Sequence, residues 1–545
     1  MTKKTAACFL ALPPALAAAF SFFLPYAASF VPAISGLARG FKTFFENTTL
    51  LNITIFTFKQ AFFSVLVSLA FGLPGAWFIG NSRSRFTPLI RTLTAIPFAM
   101  PSILVVLGFV LFFGNSGWIN RLYSILPFSG AKPLRILYKP QAVILAHGFF
   151  NFPLVIRLAG DGIARARRAY APAAASLGAS PVKTVFTVIL PLTVPAIMAA
   201  SFLIFMYCFT SFAVVLVLGG GPNTTTLAVE IYRYARIFLN YSNAGFLALI
   251  ETLIAVCVFL TYVFAGKKSR EIKTNLHEHA ETGKKSAASR IVMIAYFIVI
   301  AFFVLGPLLS IPLESFLYRP SRAAAQVLSV RWWSGLGGTC LPALGRSLTT
   351  AFFSATTACI LAFCAAGAVK LLETNNGETS LTSNFIRFLA VSPIISSGIV
   401  LGLGWLILYG RSFSRAPLAL VILHGVSAMP FAFNSISEGF RSLPANTLNA
   451  AAVFGADPLR GLLTTALPLS LPRARSAWGF AAALSLGELN AVMMLGMEEW
   501  ETLPLYIYRA VAAYRYGTAC AAATLLILCC SACFLFSEAG RKTYA

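Results

Sequence analysis

Among the ionisable side chains inside long apolar stretches are two glutamates, Glu251 and Glu488, and two histidines, His147 and His424. A charge at the centre of a bilayer costs roughly 2.5–3.5 kcal/mol on an insertion scale, so each such residue needs a partner or a task. Glu488 follows Gly487 late in an apolar run. Its carboxylate either favours a cationic solute on a translocation path or hydrogen-bonds a neighbouring helix. Glu251 is the second path candidate, or else an interfacial or paired group. The histidines recur in matching contexts, His147-Gly148 before Pro153 and His424-Gly425 before Pro430. A polar cap or a helix–helix hydrogen bond suits them better than contact with a solute. Covalent chemistry has no comparable support. No His-rich cluster, carboxylate pair at helical spacing or nucleophile–base arrangement is visible, which argues against an enzyme. Gly266-Lys267-Lys268-Ser269 lacks the G-x-x-x-x-G-K-[ST] spacing and the preceding strand of a phosphate loop; attraction to anionic membrane lipid explains its charge more simply. Of ten cysteines, only Cys530 and Cys533 share a C-x-x-C spacing, in an apolar run without His, so metal and redox use are not indicated.

The elements that must hold these groups are apolar helices. The chain has 545 residues, 58% hydrophobic and 11% charged, whereas a soluble domain carries about 25% charged residues. Stretches of roughly 20 apolar residues span a bilayer as helices. About twelve such spans are predicted, near 7–33, 52–80, 90–113, 141–160, 187–217, 244–265, 290–314, 346–370, 386–409, 416–436, 463–495 and 517–537. The first begins after Lys3 and Lys4 and continues past a signal-like Ala15-Leu16-Ala17, so it reads as a retained helix. The net charge of +25 sits mostly between spans. Positive-inside bias accounts for it, and no soluble basic domain exists to carry nucleic acid. Lys3 and Lys4 put the N-terminus in the cytoplasm. Cytoplasmic loops then hold Arg83, Arg85 and Arg91, then Arg165, Arg167, Arg168 and Lys183, then Lys267, Lys268, Arg270, Lys273, Lys284 and Lys285, with Arg541 and Lys542 in a cytoplasmic C-terminal tail. Lys132 and Arg322 are among the external basic residues that run against the rule.

One pattern occurs twice. Ala173-Ala174-Ala175-Ser176-Leu177-Gly178 is followed by Pro181 and then Leu190-Pro191; Ala450-Ala451-Ala452-Val453-Phe454-Gly455 is followed by Pro458 and then Leu467-Pro468 at the same spacing. Alanine favours helix, glycine permits a break, and proline suits a new helix start. The expectation is a short helix, a break and a helix entering the membrane, exposed on the cytoplasmic face and able to fit a partner's groove. Other matches extend the repeat: Ala61-Phe62-Phe63-Ser64 with Ala351-Phe352-Phe353-Ser354, Pro97 with Pro393, and Thr226-Leu227 with Thr502-Leu503. The predicted fold is therefore all-α, a polytopic membrane protein of two parallel-repeat bundles of about six helices. Residues 1–265 form the first half, 266–289 a cytoplasmic linker and 290–545 the second half. A path would lie between the halves.

The twin segments resemble the "EAA loop" of importer-type ABC transporter permeases, Glu-Ala-Ala, three residues, Gly, then Ile-x-Leu-Pro. Val188-Ile189-Leu190-Pro191 and Thr465-Ala466-Leu467-Pro468 are similar to its end; Pro172 and Asn449 stand where the glutamate would. The resemblance covers nearly the whole chain and narrows to fused two-half permeases of the thiamine and iron(III) kind. Phe209-Thr210-Ser211-Phe212-Ala213 with Leu218-Gly219-Gly220-Gly221-Pro222 is similar to both. Leu484-Ser485-Leu486-Gly487-Glu488-Leu489 and Thr502-Leu503-Pro504-Leu505-Tyr506-Ile507-Tyr508-Arg509 look closer to the thiamine branch. The resemblance implies a transporter subunit of a bacterial inner membrane, providing the path for thiamine or a related compound, with iron(III) as the alternative. It implies two copies of a cytoplasmic ABC ATPase docked on the twin segments, ATP and Mg bound by that partner and no cofactor in this chain. It also implies an extracytoplasmic solute-binding protein, which Gly219, Gly220, Gly221 and Pro222 face unless they are only a flexible turn. An ion-gradient-driven secondary transporter is the remaining rival, with only Glu251 and Glu488 as ion-coupling groups.

Overall fold

The computed structural model describes residues 2–81, 100–125, 133–219, 221, 224–267, 287–319, 326–373, 380–444, 446–497 and 499–541. Most of the linker expected at 266–289 lies outside the described residues, as do Arg83, Arg85, Arg91, Lys132, Lys268, Arg270, Lys273, Lys284, Lys285, Arg322 and Lys542. The apolar stretches fold as helices, which satisfy their own backbone groups where water cannot. Among the described residues the one sheet is a two-stranded antiparallel pair, Leu317–Tyr318 with Val327–Leu328.

Ten described helices are long and apolar enough to cross a membrane: Lys3–Ile34, Thr48–Gly80, Ser102–Ser124, Pro140–Ser176, Pro181–Phe209, Tyr241–Tyr262, Ile291–Ser315, Cys340–Leu372, Pro417–Ser442 and Tyr516–Glu538. Leu381–Ile394 and Gly398–Phe413, bent by 100°, add an eleventh if taken as one. The protein is thus an all-α polytopic membrane protein with fewer qualifying spans than the dozen expected. The shortfall is the stretch 463–495. Its helix Leu467–Gly487 carries Arg473 and Arg475, which dilute its apolarity, and it stops at Glu488. The stretch 187–217 is also divided: its helix ends at Phe209 and a short one, Ala213–Leu218, follows.

Small residues let the spans approach, as expected where lipid and protein are equally apolar. Gly72 and Gly80 bring Thr48–Gly80 against Pro140–Ser176; a Cβ on Gly72 would stand 2.5 Å from Cβ of Val155, and one on Gly80 2.7 Å from Ile163. In the second half Gly425 of Pro417–Ser442 meets Thr357 of Cys340–Leu372 in the same manner, at 3.1 Å.

The first helix of each half lies against the other half. Residues 19–25 run along Gly398–Ser414, where Gly404 abuts the Pro25 carbonyl. Ala287–Ser315 runs along Ser102–Phe113, where a Cβ on Gly108 would stand 2.5 Å from the Pro307 carbonyl oxygen. Phe149 and Phe303 stack at 5.4 Å in this second contact, and the Tyr296 hydroxyl donates to the Phe71 carbonyl. A proline explains the polar part of the first contact. Pro25 has no N–H to offer the preceding turn, and Ala19–Phe23 is a π-helical stretch whose bonds reach one residue further back. The Ser21 and Phe20 carbonyls are left free. Trp405 Nε1 donates to Ser21 O at 3.0 Å and the Tyr409 hydroxyl to Phe20 O at 2.5 Å. Replacing Trp405 by Phe keeps the ring but strands the buried Ser21 carbonyl. The expected cost is about 1–3 kcal/mol, visible as a lower thermal midpoint of the purified protein in detergent; an unchanged midpoint would show that the bond contributes nothing.

Candidate functional site

The twin segments have the same local geometry. In the first, Pro140–Ser176 ends and Gly178 adopts φ 76°. Gly178 N donates to Ala175 O at 2.9 Å and Ala179 N to Ala174 O at 3.0 Å, the paired bonds of a Schellman helix ending. In the second, Gly455 has φ 81°, with Gly455 N on Ala452 O at 3.0 Å and Ala456 N on Ala451 O at 3.1 Å. A side chain added at either glycine would meet open space, so glycine is required for its backbone conformation and not for room. New helices then start at Pro181 and Pro458. Ser180 Oγ accepts from Lys183 N at 3.3 Å, and Asp457 Oδ1 accepts from Leu459 N at 2.9 Å and Arg460 N at 3.1 Å.

Each segment then passes through one π-helical turn, Val185–Ile189 or Leu462–Ala466, directly before Leu190-Pro191 or Leu467-Pro468. The proline lacks the N–H that α-helical bonding would use there, and the wider turn absorbs the mismatch. The helix therefore runs on through Leu190-Pro191 and Leu467-Pro468 into the span. The copies differ upstream. Ala173 and Ala174 end the long helix Pro140–Ser176, while Ala450 and Ala451 belong to a separate helix, Thr447–Val453. Pro444 causes the difference by holding Leu443 extended, with φ −69° and ψ 142°. Both segments present bare apolar side chains beside the glycine: Leu177 is 87% exposed and Phe454 90%. Exposed apolar side chains beside a helix ending suit a partner's groove.

A second feature lies at the far end of the spans that leave the twin segments. The helix breaks at Thr210-Ser211-Phe212 and Glu488-Leu489 flank a cavity of about 320 Å³. Both halves line it: His147, Asn151, Tyr207 and Ser211 from one, Gly398, His424, Glu488 and Asn490 from the other. The 277-residue offset that relates His147 to His424 also relates Ser211 to Glu488.

His147 is held on both sides, Nδ1 to Gln60 Oε1 at 3.0 Å and Nε2 to Ser211 Oγ at 2.8 Å. Gln60 donates its own amide to Cys208 O at 2.7 Å, which leaves Oε1 to accept. Nδ1 thus carries the proton and Nε2 accepts from Ser211, a neutral imidazole in one tautomer. His424 has a single partner, Ser485 Oγ at 2.9 Å from Nδ1, and its buried Nε2 has none. Asn151 donates to His147 O at 2.9 Å while its Oδ1 is unpartnered. Glu488 Oε1 accepts from Ala491 N at 3.1 Å, and a Cβ on Gly398 would come 3.5 Å from that oxygen.

Of the two path candidates, Glu488 lines the cavity and Glu251 does not. Glu251 is 2% exposed in its helix, and neither carboxylate oxygen has a hydrogen-bond partner. It stands beside Ser397, outside the cavity. Gly219 sits in a tight turn, where a Cβ would lie 2.6 Å from Thr224 O, and Gly221 has φ 142°. Gly220 and Pro222 lie outside the described residues.

Sequence reasoning missed Gln60, Asn151 and Ser211. It also missed a repeated support: Thr57 Oγ1 accepts from Leu227 N at 3.0 Å, and Ser347 Oγ accepts from Leu503 N at 2.7 Å. Both pairs could have been found by extending the repeat, since Thr57 and Ser347 lie four residues from each end of the expected match at Ala61 and Ala351.

Comparison with known proteins agrees with this architecture. Residues 72–267 match the family described as binding-protein-dependent transport system inner membrane component. The thiamine transport system permease protein ThiP of Haemophilus influenzae is 28% identical over 507 residues, covering 92% of this chain and 90% of that protein. Its namesake from Escherichia coli K12 is 27% identical over 508 residues, with 90% and 89% covered. The spermidine/putrescine transport system permease protein PotB of Escherichia coli K12 is 27% identical over 215 residues, 39% of this chain and 77% of that protein. These relatives are transporter components and not enzymes, and the two thiamine permeases match this chain almost end to end, across both copies of the glycine-ended segment. A multi-pass protein built in this way is similar, over nearly its whole length, to permease subunits of importer-type ABC transporters, and residues 72–267 carry the domain of the inner-membrane component of such systems.

Proposed function

We propose that the chain carries thiamine or a closely related cationic compound across the bacterial inner membrane, driven by ATP hydrolysis on a separate pair of ATPase subunits. The observation that carries the coupling part is the duplicated glycine ending, with the same bonds, caps and exposed knobs in each copy. Two equal docking elements suit two equal motor subunits. Ala173, Ala174, Gly178 and Pro181 with Leu190 and Pro191, and Ala450, Ala451, Gly455 and Pro458 with Leu467 and Pro468, form the two contacts. ATP and Mg are held by the partner. A solute-binding protein delivers cargo from the other side, near Gly219 and Gly221. In this reading residues 1–265 and 290–545 are the two halves and both termini are cytoplasmic. Motion of the motor pair tilts the spans that leave the knobs and alternates access to the cavity.

Thiamine is favoured over iron(III) by the near full-length match to thiamine permeases. The test is reconstitution of the chain in proteoliposomes with a partner ATPase and a thiamine-binding protein. Labelled thiamine is expected to accumulate only with ATP inside and binding protein outside. Accumulation that follows an imposed ion gradient without the ATPase would replace this reading with a secondary transporter.

A further inference from the structure

We propose that the cavity between the two halves binds an organic cation bearing N–H donors, with the Glu488 carboxylate as its counter-charge. This deepens the permease reading above and rests on it. The chain carries 42 Lys and Arg against 17 Asp and Glu, yet the described cavity lining holds no Lys or Arg and one acid, Glu488. Ser211 occupies the related position in the first half, so the site is asymmetric and carries a single charge. His147 cannot neutralise it, because both ring nitrogens are already engaged and the ring is neutral.

The remaining polar groups are short of donors. Asn151 Oδ1 and His424 Nε2 both belong to lining residues, 1% and 3% exposed, and neither has a partner. A buried polar group left unpaired is costly, and an unpaired carboxylate in an apolar span more so. A ligand with positive charge and N–H groups answers all three at once. The walls favour an organic ion over a bare one. Phe150, Tyr207, Phe431 and Phe480 line the cavity, and aromatic faces attract cations. Its volume of about 320 Å³ far exceeds the roughly 30 Å³ share of one water.

The helix break supplies the last element. Glu488 sits between Leu467–Gly487 and Asn490–Leu495, and one of its oxygens is committed to Ala491 N. The backbone amides of Ala491 and Asn490 at the break hold the carboxylate in place at the cavity wall.

The experiment measures binding to the full chain in lipid nanodiscs, assembled with its ATPase. The probes are thiamine, a thiamine analogue whose charged ring is replaced by a neutral one, and putrescine. Glu488→Gln is expected to weaken thiamine binding about tenfold or more, the worth of a charge-assisted hydrogen bond. Glu488→Asp should restore most of it, and the neutral analogue should bind wild type and Glu488→Gln alike. Equal affinity of wild type and Glu488→Gln for thiamine would overturn the proposal, as would an equal loss for the neutral analogue. Failure of the substrate reading looks different: wild type then ignores thiamine, while putrescine still binds and is still lost in Glu488→Gln. If neither cation binds wild type, the cavity is not a cation site.

Discussion

Valine at both Gly178 and Gly455 is expected to cut ATP-dependent uptake sharply while leaving the protein folded in the membrane. Both glycines have φ near 80°, a region that costs an L-residue roughly 1–2 kcal/mol and a β-branched one more. The chain relieves that strain by leaving the left-handed conformation. The Schellman bonds from Gly178 and Ala179, and from Gly455 and Ala456, then break, and the angle between the alanine helix and the following span is lost. Nothing clashes, since both positions look onto open space. The damage is thus confined to the aim of Leu177 and Phe454, which are nearly bare, and the core is untouched. Asparagine at the same positions is the informative control, because it tolerates this conformation. Uptake by the Asn variant should stay within about threefold of wild type, and uptake by the Val variant should fall at least about tenfold, in proportion to a lost docking geometry of 1.4 kcal/mol or more. Normal transport by the double Val variant would remove these segments from the coupling path.

Alanine at Gly404 or Gly108 is expected to have the opposite character: loss of stability, with no dependence on backbone conformation. A Cβ at Gly108 would enter the Pro307 carbonyl at 2.5 Å, and one at Gly404 would overlap the Pro25 carbonyl. Backbone cannot rotate away as a side chain can. Separating the helices by even a methyl radius loses dispersion along the whole contact. At Gly404 it also threatens the bonds from Trp405 and Tyr409 to the Ser21 and Phe20 carbonyls. Overpacking costs about 1–3 kcal/mol where side chains can yield, and more where they cannot. Each single variant should therefore melt several degrees lower in detergent, with Gly404→Ala the worse. Asn should rescue neither. If Gly404→Ala melts like wild type, the first helix does not pack on the second half in the way described.

The two glycine pairs show why one part of this protein was legible in its sequence and another was not. Gly178 and Gly455 act through local backbone geometry, so their neighbours in the chain announce them: alanines before, a cap and a proline after, and the same spacing twice. Gly404 and Gly108 act through a carbonyl on a helix hundreds of residues away, and nothing beside them marks that contact. Glu488 was visible as a charge in an apolar run, but its place in a helix break, opposite Ser211, was not. Glu251 carried the same signal and turns out to be buried outside the cavity.

By itself the sequence determined that the chain lives in a membrane as helices and that a glycine-ended helix segment occurs in two copies. Hydropathy, proline and glycine govern those features over a few neighbouring residues. Only the tertiary structure decided which ionisable groups share a cavity, which first helix packs on which half, and how many helices qualify as spans. The physical reason is the solvent. In water an apolar face points inward and betrays the core, but in lipid both faces of a helix are apolar. Packing is then chosen by small residues and freed backbone carbonyls, whose partners become known only when distant helices meet.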